Sequence, residues 1–394
     1  MKKSIALILI ILAFASCKQP HEKKLSADDT HKKIKNLIDR TATEFIEKPL
    51  INSASIGFYY KGQEYIGHYG ELEKNKKNLP SNETIYEVGS LSKVLTGTVM
   101  AHAVLEGKLD LEDRVDKYLN EEYPNLSFED YPVRIKHLLT HSSGLPNILP
   151  NSLEDLLTID FLKKDTPSKI NSILKEYDKE TFLKDLHKIS IDTIPGFKYS
   201  YSSAGTELAA YILEEVYQDD FEDILVAFLA DKIGMTETKI RLNQDEKKNL
   251  AVGYHSDYPD ITLPMQKLPW GAGGNIKTTL PDMMKFIKFE LSKSEITEES
   301  HKTIVNYGKE IGIAYFWEVS SENEKLGKHY IHHGGVPRSQ CYIFIIPEYN
   351  LGTFIITNQS GKETAKKMRE TLDKIFDGII DHEKKQATTK PKLH

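Results

Sequence analysis

Apolar residues follow strand-like patterns near both ends of the chain and mainly helical patterns between them. Residues 33–48 space their apolar side chains three and four positions apart, which predicts an amphipathic helix. Two runs, Ala54–Tyr60 and Glu64–Tyr69, predict adjoining strands separated by a short turn. A longer apolar stretch predicts a helix from Ser90 through Leu105, which Gly107 is suited to end.

The region 108–304 is mainly helical in pattern, and strand patterns return after residue 310. The predicted C-terminal strands are Gly312–Val319, His329–His332, Tyr342–Ile346 and Thr353–Thr357. A last helix is predicted over residues 362–380. Strands at both ends with helices between them indicate an α/β protein of the α+β type. We expect a sheet subdomain from residues 33–107 and 305–382, with a helical subdomain, residues 108–304, inserted into it.

The first residues are typical of a secretory signal peptide. A positively charged start, Met1 to Lys3, precedes the apolar run Ile5–Ala15, which is too short to span a membrane. Cys17 follows small residues, and this arrangement resembles a bacterial lipoprotein signal, in which the cysteine carries lipid. We therefore expect a signal peptide over residues 1–17, a lipid anchor on Cys17 and a place in the bacterial cell envelope, periplasmic or on the outer membrane. If Cys17 merely lies near an ordinary cleavage point, the protein is secreted and soluble.

Two polar segments flank the predicted domain. Residues 18–32 are polar and charged, which predicts a flexible tether. Residues 383–394 form a polar tail that we expect to be disordered. The domain itself is then predicted to cover residues 33–382.

Composition narrows the function classes without naming one. The chain has 394 residues, 28% of them charged and 39% hydrophobic, which is ordinary for a soluble globular protein. A net charge of −6 carries no sign of a nucleic-acid partner. The two cysteines, Cys17 and Cys341, exclude a disulfide scaffold and a cysteine-rich zinc site.

The candidate chemistry lies at the start of the predicted helix after the first strands, where Ser90 precedes Lys93 by three positions. Residues three apart share a helix face, so the serine hydroxyl and the lysine amine can meet. A serine needs a base to become nucleophilic, and a lysine can serve as that base. The same spacing recurs at Ser172 and Lys175, within a polar stretch where a solvated helix face is the simpler interpretation.

Three further segments accompany the Ser90–Lys93 motif in a fixed order. They are residues 134–146, which include Thr140-His141-Ser142-Ser143-Gly144, residues 195–205, which include Tyr199-Ser200-Tyr201-Ser202-Ser203, and residues 331–337, which include His332-His333-Gly334-Gly335. Together these motifs resemble the serine β-lactamase and penicillin-binding protein superfamily, closest to the branch of class C β-lactamases, D-Ala-D-Ala carboxypeptidases and related esterases. The resemblance covers roughly residues 33–380 and implies an antiparallel sheet flanked by helices, with the active site beside an inserted helical subdomain.

The resemblance assigns roles by motif position. Ser90 corresponds to the acylated nucleophile, Lys93 to the motif lysine, and Tyr201 to the tyrosine that helps to move the nucleophile's proton. Ser203 stands where the family usually has a substrate-binding asparagine, and it lacks the paired donor and acceptor of an amide. His332 corresponds to the cleft-facing residue of the third motif.

The same motif implies that Gly334 and Gly335 contribute to substrate binding. The backbone N–H of Gly335 would join that of Ser90 in an oxyanion hole.

The implied function is a serine hydrolase that forms an acyl-enzyme on an ester, amide or D-amino-acid peptide carbonyl. No cofactor or metal is implied, and the expected partners are a small-molecule or peptide substrate and, through Cys17, a membrane. Two alternatives remain open. A non-catalytic scaffold or binding protein could keep the fold, and the change at Ser203 is compatible with that. A metal-dependent hydrolase is disfavoured because His137 and His141, although four apart, lack the glutamate of the H-E-x-x-H pattern.

Overall fold

The computed structural model describes residues 27–154, 156, 165–255, 258–262 and 271–388. The predicted signal peptide with Cys17, most of the predicted tether and residues 389–394 lie outside the described residues. Lipidation of Cys17 therefore stays a prediction. Within the described part of the chain, no helix is long and apolar enough to cross a membrane.

Helices and strands alternate much as the hydrophobic pattern predicts. The α-helices are α1 Ala27–Ile46, α2 Ser92–Leu105, α3 Ile135–Leu139, α4 Thr166–Lys175, α5 Lys179–Leu186, α6 Ser203–Tyr217, α7 Phe221–Phe228, α8 Gly271–Gly274, α9 Leu280–Glu290, α10 Glu295–Ser300 and α11 Lys362–Thr388. The strands are β1 Ser53–Tyr60, β2 Gln63–Gly70, β3 Tyr86–Glu87, β4 Ser127–Phe128, β5 Tyr131–Pro132, β6 Gly253–His255, β7 Tyr258–Thr262, β8 Lys277–Thr278, β9 Val305–Tyr307, β10 Ile311–Ala314, β11 Trp317–Ser320, β12 His329–Val336, β13 Ser339–Ile346, β14 Leu351–Thr357 and β15 Gln359–Ser360.

The main sheet has eight strands in the order β2-β1-β14-β13-β12-β11-β10-β9 among the described residues. Every neighbouring pair is antiparallel, and β1 pairs with β14 from the other end of the chain. The prediction of one sheet built from N- and C-terminal pieces is therefore confirmed. Short antiparallel strands β3 and β8 join in a separate two-stranded pair next to the start of α2.

Helices cover both faces of the sheet. On one face, apolar side chains of α1 and α11 form a core with alternate residues of β1, and Phe376 meets Phe58 edge-on at 6.3 Å. On the other face lies α9, where Met284 and Ile287 pack against Gly57 and Gly352. Side chains larger than glycine at those two strand positions would collide with the helix. The predicted helical subdomain, residues 108–304, thus extends too far, because α9 packs on the sheet as part of the sheet subdomain.

Three further boundaries differ from the expectations. Helix α1 begins at Ala27, so residues 27–32 are helical and are not part of a tether. Acidic residues in the first turn favour a helix start. His31 also holds this end of the helix, because its ring nitrogen lies 2.7 Å from the hydroxyl of Tyr65. Helix α11 continues to Thr388, so the tail expected over 383–394 is helical at its start. There Glu383 pairs with Lys61 at 2.6 Å and accepts a hydrogen bond from Tyr60.

The strand predicted over Gly312–Val319 is a hairpin of β10 and β11. Tyr315 and Phe316 both have positive φ values, 43° and 70°, which turn the chain between the two strands. Their apolar character hides the turn in the sequence, since turns usually carry polar residues and glycine. The hairpin brings the Phe316 carbonyl to the neighbouring β12.

Strand β12 runs against the turn that precedes α2. A Cβ atom added at Gly334 would lie 2.0 Å from Val88 O and 2.7 Å from Cys341 Sγ. At Gly335 the nearest atoms to such a Cβ are 3.5 Å away, which is ordinary contact. The strand therefore approaches the turn most closely at Gly334.

We expect Gly334→Ala to lower the free energy of unfolding by about 1–3 kcal/mol or more, because backbone atoms must move to admit the methyl group. Urea unfolding measures the change. Gly335→Ala is the matched control and should stay within about 0.5 kcal/mol of the wild type. Equal stability of the two variants would contradict the close approach.

Adjacent residues of β12 face opposite sides of the sheet, and His333 packs against Tyr342 with ring centroids 4.6 Å apart. Burial lowers the pKa of His333 from 6.5 to about 4. Unfolding therefore takes up one proton between these values, and the free energy of unfolding falls as the pH falls through that window.

His333→Gln should flatten the dependence of unfolding free energy on pH by about 1.4 kcal/mol per pH unit between roughly pH 6 and 4.5, because glutamine does not titrate. Chemical denaturation at a series of pH values measures the slope. The offset at about pH 7.5, where the histidine is neutral in both states, reports any packing change. Parallel curves for the two proteins would show that burial does not lower the pKa of His333.

Candidate active site

The candidate nucleophile lies in a tight turn that leads into a helix. Gly89–Leu91 forms a 3-10 turn directly before α2, and Gly89 has a φ of +55°, which favours glycine. Ser90 in this turn is partly exposed, whereas Lys93 in the first turn of α2 is fully buried. The helix start thus presents the serine outward and sets the lysine beneath it.

Three of the predicted residues meet at the Ser90 hydroxyl. Tyr201 donates a hydrogen bond from its hydroxyl to Ser90 Oγ at 2.7 Å, and Lys93 Nζ donates to the same atom at 3.4 Å. Lys93 Nζ also donates to the carbonyl of Gly273 at 2.5 Å and lies 4.8 Å from the centroid of the Tyr201 ring. A hydroxyl within reach of an amine and a phenol is the arrangement that proton transfer from a serine nucleophile requires.

His332 lies on the same side of β12 as this cluster. Its Nδ1 is 3.0 Å from the carbonyl of Phe316, and the backbone of Ser90 is a second hydrogen-bond partner of the ring. Burial, and after it the charges of Lys93 and His333, lower the pKa of His332 to about 3. The imidazole is therefore neutral near neutral pH.

The two glycines of the third motif occupy different surroundings. Gly334 is buried against the Val88 carbonyl, whereas Gly335 is exposed. A Cβ atom added at Gly89 would lie within 2.6–2.7 Å of three Gly335 backbone atoms, so the Gly335 backbone borders the turn that holds Ser90. Of the two, Gly335 is the one open to a molecule in the cleft.

Ser203 is the first residue of α6 and is partly exposed. Its backbone N–H donates to the carbonyl of Asn147 at 2.8 Å, and a Cβ added at Gly273 would lie 3.5 Å from Ser203 Cβ. The short side chain thus stands next to the turn whose carbonyl holds Lys93.

His141 is a site residue that the sequence analysis did not assign to the active site. Its ring centroid is 4.5 Å from that of Tyr201, and its Nδ1 accepts a hydrogen bond from the backbone N–H of Ser202 at 3.2 Å. Burial, with the charges of Lys93 and His332, holds its pKa well below the usual range. The segment 134–146 was the available signal, but nothing in its spacing showed which ring His141 would contact.

His137 does not join His141 in a metal site. It lies within α3, where its Nδ1 accepts from the backbone N–H of Arg134 at 3.1 Å. In the part of the chain that the structure describes, no group of three or more His, Cys, Asp or Glu residues is arranged to hold a metal ion.

Known proteins are similar to this chain over most of its length. The beta-lactamase family model matches residues 38–376. Protein Flp of Staphylococcus aureus (strain MRSA252) is 24% identical over 356 residues, which are 88% of this chain and 66% of that protein. The chain thus spans about two thirds of the length of that relative.

Solved structures agree on the fold. A class C beta-lactamase superposes with a TM-score of 0.75 at 20% identity, over 89% of this chain and 99% of that one. A beta-lactamase/D-alanine carboxypeptidase from Yersinia pestis, complexed with citrate, superposes with a TM-score of 0.72 at 17% identity, over 91% and 99% of the two chains. The chain therefore belongs to the beta-lactamase family and has the β-lactamase/transpeptidase-like fold.

Proposed function

We propose that this protein is a serine hydrolase that forms an acyl-enzyme at Ser90. The observation that carries the proposal is the pair of donors, Tyr201 and Lys93, that converge on Ser90 Oγ at 2.7 Å and 3.4 Å. Family membership supports hydrolysis of a carbonyl compound. The arrangement has no evident structural purpose, since burying a lysine beneath a serine costs free energy that an apolar side chain would not.

In the proposed acylation step, Ser90 Oγ attacks the substrate carbonyl carbon while its proton passes to a group in its basic form, either Tyr201 as the phenolate or Lys93 as the neutral amine. The carbonyl oxygen becomes an oxyanion, for which the backbone N–H groups of Ser90 and Gly335 are the nearby donors. Collapse of the tetrahedral intermediate breaks the bond to the leaving group, which takes up the proton. The substrate's acyl group then remains bonded to Ser90.

Deacylation reverses these roles with water as the nucleophile. A water molecule attacks the acyl carbon, its proton passes to the same bases, and Ser90 Oγ leaves and regains its proton. His332 is neutral near neutral pH and is buried beside Ser90, with its Nδ1 3.0 Å from the Phe316 carbonyl. We propose that it orients the bound molecule.

We propose an ester or small amide with an apolar group as the preferred substrate. Phe197 is 77% exposed and Tyr199 is 42% exposed, and they stand close before Tyr201 in the chain. Tyr199 also meets Tyr307 of β9 edge-on at 5.7 Å. We propose that Phe197, Tyr199 and Tyr307 form an aromatic surface that receives the substrate. The serine at position 203 supports esters over ligands whose amide would pair with an asparagine.

The names of the similar structures bring two narrower candidates, a β-lactam and a D-alanyl peptide. Both carry a carbonyl that Ser90 could attack. The serine at position 203 is also compatible with a second hypothesis, in which the protein keeps the fold but is a non-catalytic scaffold or binding protein. Acylation distinguishes these candidates directly.

We expect a covalent adduct on Ser90 after incubation with a p-nitrophenyl ester or with benzylpenicillin, detected by intact mass and peptide mapping. Ser90→Ala should form none, because no hydroxyl remains to attack. Tyr201→Phe and Lys93→Met should each slow acylation by about 10²–10⁴-fold through loss of proton transfer. Ser172→Ala, in the second copy of the motif, is the matched control and should acylate normally. Consumption of neither reagent by the folded protein would favour the binding protein.

The aromatic surface predicts a preference for longer acyl chains. We expect kcat/KM for p-nitrophenyl octanoate to exceed that for the acetate by about tenfold or more, since each buried methylene contributes about 0.8 kcal/mol. Phe197→Ser should reduce this ratio severalfold, while the adjacent exposed control, Lys198→Ala, should retain it. An unchanged ratio in Phe197→Ser would show that the substrate does not reach this surface.

A further inference from the structure

A buried carboxyl group lies behind Lys93 and has no part in the proposed reaction. Glu207 on α6 is 4% exposed, and its carboxyl group hydrogen-bonds the backbone N–H of Ala272 and the hydroxyl of Tyr211. Its Oε2 has no hydrogen-bond partner among the described residues. A buried acid with an unpaired oxygen is costly, so its presence beside a functional lysine needs a reason.

Some neighbouring groups raise the pKa of the Glu207 carboxyl and others lower it. Burial raises the pKa of Glu207 well above its ordinary value, and the nearby Glu214 adds to the effect. The hydrogen bonds with the Ala272 N–H and with Tyr211, and the charge of Lys93, lower the pKa but act more weakly. The balance favours the uncharged acid, whose chemistry is close to that of a glutamine amide.

The contact from Glu207 falls on α8, the turn Gly271–Gly274. This turn carries three glycines and one alanine, so it has almost no side chains with which to pack, and hydrogen bonds must fix its place. From α2, Thr96 Oγ1 donates to the Ala272 carbonyl at 3.1 Å and Lys93 Nζ donates to the Gly273 carbonyl at 2.5 Å. Glu207 supplies a hydrogen bond to the turn from α6.

The turn therefore joins the two helices that deliver the groups around Ser90. Helix α2 carries Lys93 and follows Ser90 directly, while α6 begins two residues after Tyr201. A Cβ added at Gly273 would lie 3.5 Å from Ser203 Cβ, which shows how closely the turn meets the start of α6. A shift of α6 relative to the turn would move Tyr201 away from Ser90 Oγ.

We propose that Glu207 is a positioning residue that holds α6 against the Gly271–Gly274 turn and so keeps Tyr201 and Lys93 together on Ser90 Oγ. The proposal rests on the proposed function, because it concerns the acylation step. For this role Glu207 needs a side chain long enough to bring an oxygen to the Ala272 N–H, where that oxygen accepts a hydrogen bond. Charge is not required.

Three substitutions separate reach, acceptor and charge. Glu207→Gln keeps an acceptor oxygen at the same reach, Glu207→Asp keeps the carboxyl but shortens it, and Glu207→Leu removes the acceptor. Glu215→Leu, two turns further along α6 from Glu207, is the matched control. Release of p-nitrophenolate from an excess of p-nitrophenyl ester gives the acylation rate and the apparent ester affinity for each protein, and circular dichroism confirms folding.

We expect the acylation rate to fall about tenfold or more in Glu207→Leu and severalfold in Glu207→Asp, because small misplacements of reacting groups are costly. The ester affinity should change less than twofold, and Glu207→Gln and Glu215→Leu should stay within about threefold of the wild type. Wild-type rates in the Leu and Asp variants would overturn the proposal. A loss in Gln as large as that in Leu would overturn the acceptor role.

A crystal structure tests the positioning independently of activity. In Glu207→Leu, or in Glu207→Asp if the leucine variant does not fold, the Tyr201 hydroxyl to Ser90 Oγ distance should lengthen beyond hydrogen-bonding range. An unchanged distance would overturn the role of Glu207 but would leave the proposed function standing. If the wild type is not acylated at all, the proposed function fails, whereas equal acylation of wild type and variants refutes only the role of Glu207.

Discussion

The active site depends on the complete burial of Lys93 beneath Ser90. A lysine amine removed from water must find hydrogen-bond acceptors, and its acceptors here, Ser90 Oγ and the Gly273 carbonyl, are both uncharged. The carbonyl comes from a turn nearly free of side chains, which can approach α2 closely. The positive charge of Lys93 in turn helps to lower the pKa of both His141 and His332, so both imidazoles are neutral beside this lysine.

A second constraint is the close passage of β12 along the turn that holds Ser90. Glycine at positions 89 and 334 lets the two backbones meet at distances that a side chain would forbid. That passage places the exposed Gly335 backbone next to the partly exposed Ser90 and puts the His332 ring on the side of Lys93. The hairpin at Tyr315 and Phe316 completes the arrangement, because its Phe316 carbonyl lies 3.0 Å from His332 Nδ1 and helps to hold the ring.

Helical spacing allows Ser90 and Lys93 to meet, but it did not single them out, because Ser172 and Lys175 have the same spacing. The accompanying motifs did so, and the structure brings Ser90 and Lys93 together. Tyr201 lies 111 positions beyond Ser90, so only its motif, not local periodicity, could place it at the same hydroxyl. The sheet was predictable because hydrophobic alternation is local, whereas helix ends and the Tyr315–Phe316 turn were not. Those features depend on tertiary contacts such as Tyr60 with Glu383.

The groups that sequence analysis missed share one property: their role is created by a neighbour distant in the chain. Gly273 acts through a backbone carbonyl, which every residue type supplies, so its identity gave no signal of that contact. Glu207 and Tyr211, four apart on α6, look like an ordinary polar helix face until the turn at Gly271–Gly274 is seen to cover them. His141 had a motif but no partner that could be inferred without the fold.

The most direct test of the central claim is the crystal structure of the protein after reaction with a p-nitrophenyl phosphonate ester, which leaves a stable tetrahedral phosphonyl group on a reactive serine. The account predicts phosphorus bonded to Ser90 Oγ, with one phosphonyl oxygen about 3 Å from the backbone nitrogens of both Ser90 and Gly335. Attachment to any other residue, or an oxygen directed away from those two nitrogens, would contradict it.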